Sequence, residues 1–267
     1  MHGGFIRVCG RNLEYELIPA HQINRPTLVL LHEGLGSVSM WRDFPARLAA
    51  ATGCRMLVYS RYGYGQSDVL EESFDPDFMH REGREVLPGI LAALDIESPI
   101  LVGHSDGASI ALLHAGDSRS KVAGLVVMAP HCFVEEISIR SIEAAKVAFE
   151  TTDLPAKLAR HHRDVRRTFY GWNNIWLHPD FRCWNIEDCL PHIRCPILAI
   201  QGVDDEYGTM AQIEAIAAGA TASAGVELLE LADCRHSAHK DQTFAVIEVI
   251  NRFAENLDPA VPPAATS

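Results

Sequence analysis

The sequence has no run of about 18 consecutive apolar residues, so no membrane-spanning helix is expected. Its first residues, MHGGFIRVCGRNLEYEL, lack a basic start followed by an apolar stretch and do not read as a secretory leader. Basic residues are in deficit: 23 Lys and Arg stand against 35 Asp and Glu, a net charge of -12. Phosphate backbones demand a basic surface, so nucleic acid is excluded as a main partner. No C-x-x-C pair occurs among the seven cysteines, and the spacing of Cys183, Cys189 and Cys195 is wider than structural zinc sites use. An odd number of scattered thiols predicts a reduced, cytoplasmic protein with no metal. There is no internal repeat and nothing that reads out an oligomeric state; a homo-oligomer is left open.

What is present is ordinary globular composition, 48% apolar and 22% charged, enough for a sizeable core. Apolar β-rich runs alternate with helical stretches. Two short strands open the chain near Phe5–Cys9 and Leu13–Ile18. TLVLLHE (27–33), CRMLVYS (54–60), SPILVGHS (98–105), VAGLVVMAP (122–130), CPILAIQG (195–202) and VELLELADC (226–234) follow. Most are continuously apolar, the signature of strands buried on both faces of a parallel sheet. Helical spacing marks Trp41–Thr52, Val86–Leu94, Ile110–Ala115, Met210–Ala218 and Phe244–Phe253. The alternation predicts a doubly wound α/β sheet. The Pro/Ala-rich tail, 258–267, is expected to be disordered.

One interval breaks the pattern. About 64 residues (131–194) carry no strand signal but contain helical stretches at Ile137–Glu150 and Ala156–Thr168. A helical insertion after a core strand sits over the carboxyl ends of the strands, where open α/β sheets bind ligands. The expected division is therefore a core of 1–130 and 195–267 and a helical cap of 131–194.

The segment Gly103-His104-Ser105-Asp106-Gly107 joins an apolar strand to a helix rich in small residues. This is G-x-S-x-G in the context that gives it meaning: a sharp turn that lifts the serine hydroxyl clear of the sheet, with glycines where strand and helix nearly touch. Ser105 is the candidate nucleophile. Asp106 is also read as a first-turn acid favoured by the helix dipole.

With these features the chain resembles the α/β-hydrolase superfamily over nearly its whole length, and within it the cap-bearing esterases. The resemblance implies an α/β-hydrolase fold, a mostly parallel sheet flanked by helices with an α-helical cap insertion, and a triad in the order Ser, acid, His. It places the base at His236, just past the last strand, with His239 as competitor. It places the acid at Asp205 by the spacing G-x-x-D after Gly202, with Asp204 as runner-up. A position one strand earlier, after Pro130, offers no carboxylate until Glu135. The first oxyanion donor is the backbone N–H of Asp106. The second is that of Gly34 or Leu35, because Glu33 intervenes where relatives show His-Gly. Ser60 stands where relatives carry Asp in a D-x-x-G-x-G-x-S loop, and that loop, Ser60–Ser67, is read as structural.

Three of the four tryptophans, Trp172, Trp176 and Trp184, fall within thirteen residues beside Tyr170, which suits an apolar wall over Ser105. A basic run spans Lys157 to Arg167. Arg160, Arg163 and Arg167 are expected to share a helix face, as a solvated, ion-paired surface or as an anchor for an anionic substrate. The reading is a cofactor-free enzyme acting on a small-molecule acyl substrate, most simply a carboxylic ester, through an acyl-enzyme on Ser105. The alternatives are a thioesterase, a carbon–carbon bond hydrolase, a lyase without an acyl-enzyme, or a ligand-binding receptor on the same fold.

Overall fold

The computed structural model describes residues 2–22 and 25–257. The expectation about 258–267 lies outside the described residues. Eight strands form one sheet: β1 (His2–Val8), β2 (Arg11–Ile18), β3 (Leu28–Leu31), β4 (Met56–Tyr59), β5 (Ile100–His104), β6 (Gly124–Met128), β7 (Ile197–Gly202) and β8 (Val226–Leu231). Their order in space is β1-β2-β4-β3-β5-β6-β7-β8. The β1–β2 and β2–β4 pairs are antiparallel and the rest are parallel. This is the α/β-hydrolase fold the sequence led us to expect.

The continuous apolar runs divide between two cores by the two-residue strand period. Val29, Leu31, Leu57, Tyr59, Leu101 and Val127 face one side, and Leu28, Leu30, Met56, Val58, Val102 and Val126 the other. Helices α1 (Phe44–Thr52), α2 (Phe78–Arg81), α3 (Leu87–Ala93) and α4 (Asp106–Ala115) lie in the first half of the chain. After β6 come α5 (Glu136–Thr151), α6 (Leu154–Leu158) and α7 (Val165–Trp176). The last three are α8 (Ala211–Gly219), α9 (Ala238–Asp241) and α10 (Thr243–Asn256). The first core packs under α2, α3, α4 and α8, the second under α1 and α10. A π-turn at Glu82–Val86 joins α2 to α3, so the helix expected at Val86–Leu94 begins a full two turns earlier.

Strand order decides where a site can form. From β3 the chain crosses to β4 on one side, then returns to β5 on the other. The loops leaving β3 and β5 diverge, opening a crevice at their carboxyl ends. Those loops begin at His32 and Ser105.

One expectation about 131–194 needs correction. The helix expected at Ala156–Thr168 is broken: α6 ends at Leu158 and α7 begins at Val165. The linker between them bonds to the core instead of continuing the helix. The Arg163 N–H donates to the Gly65 carbonyl (3.0 Å), and the His162 ring bridges Gly65 N–H (2.9 Å) and the Leu35 carbonyl (3.0 Å). Asp164 then caps α7 by accepting from Arg167 N–H (3.0 Å). The end of the interval packs against the core. A 3₁₀ segment, Glu187–His192, buries Cys189 against Gly116 of the core and Leu190 against Gly219.

Candidate active site

Ser105 sits between β5 and α4 at φ 53°, ψ -122°, a conformation that costs a non-glycine residue about 1–3 kcal/mol and that the surroundings must enforce. The enforcement is visible. A side chain at Gly103 would strike the backbone of Ala108, and one at Gly107 would strike the Leu31 carbonyl. Ser105 N–H is held by the Met128 carbonyl (2.9 Å). The turn is sharp because strand and helix are pressed together on both sides of it.

Asp205 and His236 come together from the loops after β7 and β8. His236 Nδ1 lies 2.9 and 3.0 Å from the two Asp205 oxygens. A carboxylate only accepts, so Nδ1 carries the proton and Nε2 keeps its lone pair in the neutral ring. Asp205 also accepts from Gln201 Nε2 (2.7 Å) and Tyr207 N–H (2.8 Å). Burial pushes its carboxyl up, but the His236 ring and the Tyr207 N–H outweigh burial and hold it below the usual carboxylate range. Asp204 is exposed. His239 is buried on α9, its ring 4.7 Å from Trp41 and 4.8 Å from His104, and it does not border the Ser105 cavity. Glu135 is engaged with Thr209 and Gln212, away from His236.

Ser105 and His236 border one cavity of about 190 Å³ without a direct hydrogen bond between them. Such bonds often tighten only around a substrate. The cavity is also lined by Glu33, Gly34, Leu35, Asp106, Trp172 and Trp176. Gly34 is obligatory here, since a side chain would overlap the Trp172 indole. Trp176 Nε1 donates to Asp106 Oδ1 (3.2 Å). Trp184 and Tyr170 lie outside the lining. Trp184 stacks on Phe181 (5.2 Å) within the cap, and the Tyr170 hydroxyl donates to Glu150 (3.2 Å). Neither therefore borders the opening.

Glu33 reaches the site: its Oε2 is 3.5 Å from His104 Nδ1 and its Oε1 is 3.5 Å from Lys240 Nζ. Burial raises its carboxyl, and the His104 and Lys240 contacts overcome this to hold it well below the usual range. His104 Nε2 in turn donates to the His236 carbonyl (2.8 Å) and braces the loop that carries that ring.

His131 is a residue that sequence reasoning passed over, having searched that position only for a carboxylate. It lines the cavity, and burial and the nearby His236 push its ring down to about 3. It stays neutral and does not oppose a positive charge on His236. Its place at the carboxyl end of β6 was the available signal.

The Ser60–Ser67 loop recovers its carboxylate from another strand. Ser60 Oγ donates to Glu14 Oε2 of β2 (2.7 Å), which also accepts from Gln66 N–H (2.9 Å).

The cap arginines do not form the expected face. Arg160 and Arg163 fall in the linker and only Arg167 is helical. None borders the Ser105 cavity. Arg163 faces Asp68 (3.9 Å) and Arg167 faces Asp164 (3.6 Å). The ion-paired reading describes them; the pocket-mouth anchor does not.

Among the described residues no group of three or more His, Cys, Asp or Glu side chains is arranged to hold a metal ion, and no disulfide joins the cysteines. No helix among them is long and apolar enough to cross a membrane.

Comparison with known proteins agrees with this architecture. The model of the alpha/beta hydrolase family matches residues 28–249. The mouse serine hydrolase BPHL is 24% identical over 207 residues, 75% of this chain and 69% of that protein. A proline iminopeptidase of Saccharolobus solfataricus is 31% identical over 127 residues, 46% of this chain but only 39% of its own length. In three dimensions the chain superposes on an esterase from Exiguobacterium antarcticum with a TM-score of 0.74 at 19% identity, covering 95% of this chain and 100% of that one.

Proposed function

The chain belongs to the alpha/beta hydrolase family, and from that premise we propose that it is a serine hydrolase of small carboxylic esters or closely related acyl compounds. The observation that carries the reading is a strained Ser105 sharing one small cavity with a histidine whose Nδ1 is tied to a buried carboxylate. Ser105 Oγ attacks the acyl carbon while His236 Nε2 takes its proton. Asp205 keeps the ring in that tautomer and stabilises its charged form. The tetrahedral oxygen is received by the N–H of Asp106, the first of a helix and so without an intrahelical acceptor, and by an N–H of the Gly34–Leu35 turn. Collapse expels the alcohol, protonated by His236, and leaves an acyl-enzyme. Water activated by the same ring then releases the acid.

The lining favours neutral or positively charged acyl groups. Its carboxylates are Glu33, Asp106 and Glu206, and neither lysine nor arginine borders the opening. The volume favours short ones.

The test is a panel of p-nitrophenyl and thiophenyl esters varied in acyl length and charge, combined with labelling by a fluorophosphonate and mass spectrometry of the modified peptide. Hydrolysis of short neutral or cationic esters with the label on Ser105 is expected. Absence of both turnover and labelling would leave the fold a ligand-binding one. Turnover with no labelling of Ser105 would favour chemistry without an acyl-enzyme. Cleavage of thioesters in preference to esters would move the reading to a thioesterase.

A further inference from the structure

Arg61 is the most deeply buried basic side chain near the site, 1% exposed, at the carboxyl end of β4. Its Nη2 donates to the Glu33 carbonyl (2.9 Å) and lies 3.8 Å from Asp106 Oδ2. Its backbone N–H donates to His32 Nε2 (3.0 Å). His32 Nε2 is thereby an acceptor, so His32 Nδ1 carries the proton and donates to the same Glu33 carbonyl (2.7 Å). Gly36 N–H adds a third donor (3.0 Å), closing a tight turn around Gly34 and Leu35.

Three donors on one carbonyl fix the plane of its peptide. In a trans peptide the C=O and the N–H point in opposite directions, and no peptide bond in the described chain is cis. With the Glu33 carbonyl turned toward the buried Arg61, the Gly34 N–H is turned the other way. That is the side on which Gly34 borders the cavity beside Ser105 and Asp106. The Gly34 N–H has no acceptor among the described residues. Through its other contact Arg61 holds the carboxylate of Asp106, the residue whose N–H is the first donor.

We propose that Arg61 is a positioning residue that sets both backbone donors of the oxyanion hole, and that Gly34 supplies the second of them. This rests on Ser105 being the nucleophile. Stability alone is a poor reason for this residue. Its guanidinium lies over the Tyr64 ring (4.8 Å), but its Nε and Nη1 have no hydrogen-bond partner among the described residues, and a buried charge with open donors is costly where an apolar side chain of similar size is not.

The experiment uses two forms of the full chain. Arg61→Lys keeps a charge beside Asp106, but a single ammonium cannot span both partners as the planar guanidinium does. Arg61→Met combined with Asp106→Asn removes both charges, so neither is left buried alone. In both we expect kcat for a short ester to fall about 10²-fold, the scale of one lost oxyanion donor, with KM within about threefold. Inhibition by phenylboronic acid, which mimics the tetrahedral oxygen, weakens by a similar factor while the melting temperature of Arg61→Lys stays within a few degrees. Crystal structures of the variants show the Glu33–Gly34 peptide rotated. An unrotated peptide, with boronate affinity unchanged in both variants, overturns the proposal. If the unmodified enzyme neither turns over esters nor takes a fluorophosphonate on Ser105, the nucleophile reading fails instead. The rotation of that peptide then still decides whether Arg61 sets it.

Discussion

Two clusters of buried charge flank Ser105, and they are built in opposite ways. On one side Asp205 is saturated: His236, Gln201 and Tyr207 all donate to it, and its ring partner opens onto the cavity. On the other side Arg61, Asp106 and Glu82 lie deeper. Arg61 Nε and Nη1, Asp106 Oδ2 and Glu82 Oε2 have no hydrogen-bond partner among the described residues, and neither do the nearby Tyr59 and Tyr64 hydroxyls. In the first cluster both Asp205 oxygens and the His236 Nδ1 are satisfied. In the second, Arg61 and Glu82 lie away from the opening, and Arg61 contacts the backbone that borders it. The difference teaches where each should fail. Damage to the first should appear as lost rate, and damage to the second as altered geometry and altered stability with pH.

The largest effect that sharpens this contrast is at the ring. His236→Ala is expected to lower kcat by about 10⁴–10⁶ with little change in melting temperature, the range seen for triad members. His239→Ala should leave a measurable rate and instead lose stability, because its ring fills space among Trp41, Phe44 and His104. Steady-state kinetics and thermal denaturation of the two variants separate these outcomes, and an inactive His239→Ala beside an active His236→Ala would reverse the assignment.

Asp205→Asn comes next, at about 10³–10⁴ in kcat, since an amide can present its NH₂ to Nδ1 and favour the wrong tautomer. Asp204→Asn, at an exposed position, should stay within about twofold. Equal losses in the two would erase the distinction that the geometry draws between adjacent acids.

The deeper cluster predicts a pH effect on stability. Burial, only partly offset by Arg61, pushes the Glu82 carboxyl from 4.5 up to about 7. The folded protein therefore keeps a proton that the unfolded chain has released. Stability falls as pH rises from about 4.5 to about 7 and is flat above. Each pKa unit corresponds to about 1.4 kcal/mol, so the whole effect is on the order of 3–4 kcal/mol at most. Denaturant unfolding of Glu82→Gln should show that slope removed. The same slope in both proteins would mean that Glu82 ionises freely.

The smallest expected effect belongs to the cap surface. Arg163→Ala and Arg167→Ala should change kcat/KM by less than about twofold for matched neutral and anionic esters, because both side chains are exposed and paired with neighbouring acids. A selective loss for the anionic ester, diminished by salt, would restore these residues to the site and break the separation between cap surface and cavity.

Much of this was readable in advance. Patterns written in consecutive residues survive into the fold: continuous apolar runs require burial on both faces, and Gly103 and Gly107 require a close crossing. The elements and Ser105 followed from these. Asp205 and His236 were implied by the resemblance to the α/β-hydrolases, through the G-x-x-D spacing and the place just past the last strand. Misreadings arose where distant contacts override local preference. Residues 156–168 have helical spacing, yet hydrogen bonds from Arg163 and His162 to Gly65 and Leu35 break the helix there. The tryptophan cluster did not reveal that Trp172 and Trp176 face the opening while Trp184 faces the cap.

By itself, then, the sequence determined a mostly parallel sheet and a serine on a sharp strand–helix elbow, local consequences of hydrophobic period and glycine spacing; Asp205 and His236 were expectations that the family resemblance implied. Only the tertiary structure decided which carboxylate fills the gap left at Ser60, that Glu33 comes within 3.5 Å of His104 and Lys240, and that Arg61 reaches both Glu33 and Asp106. Each joins residues tens of positions apart, and no periodicity records such a meeting; it exists only once the β3, β4 and β5 strands lie side by side.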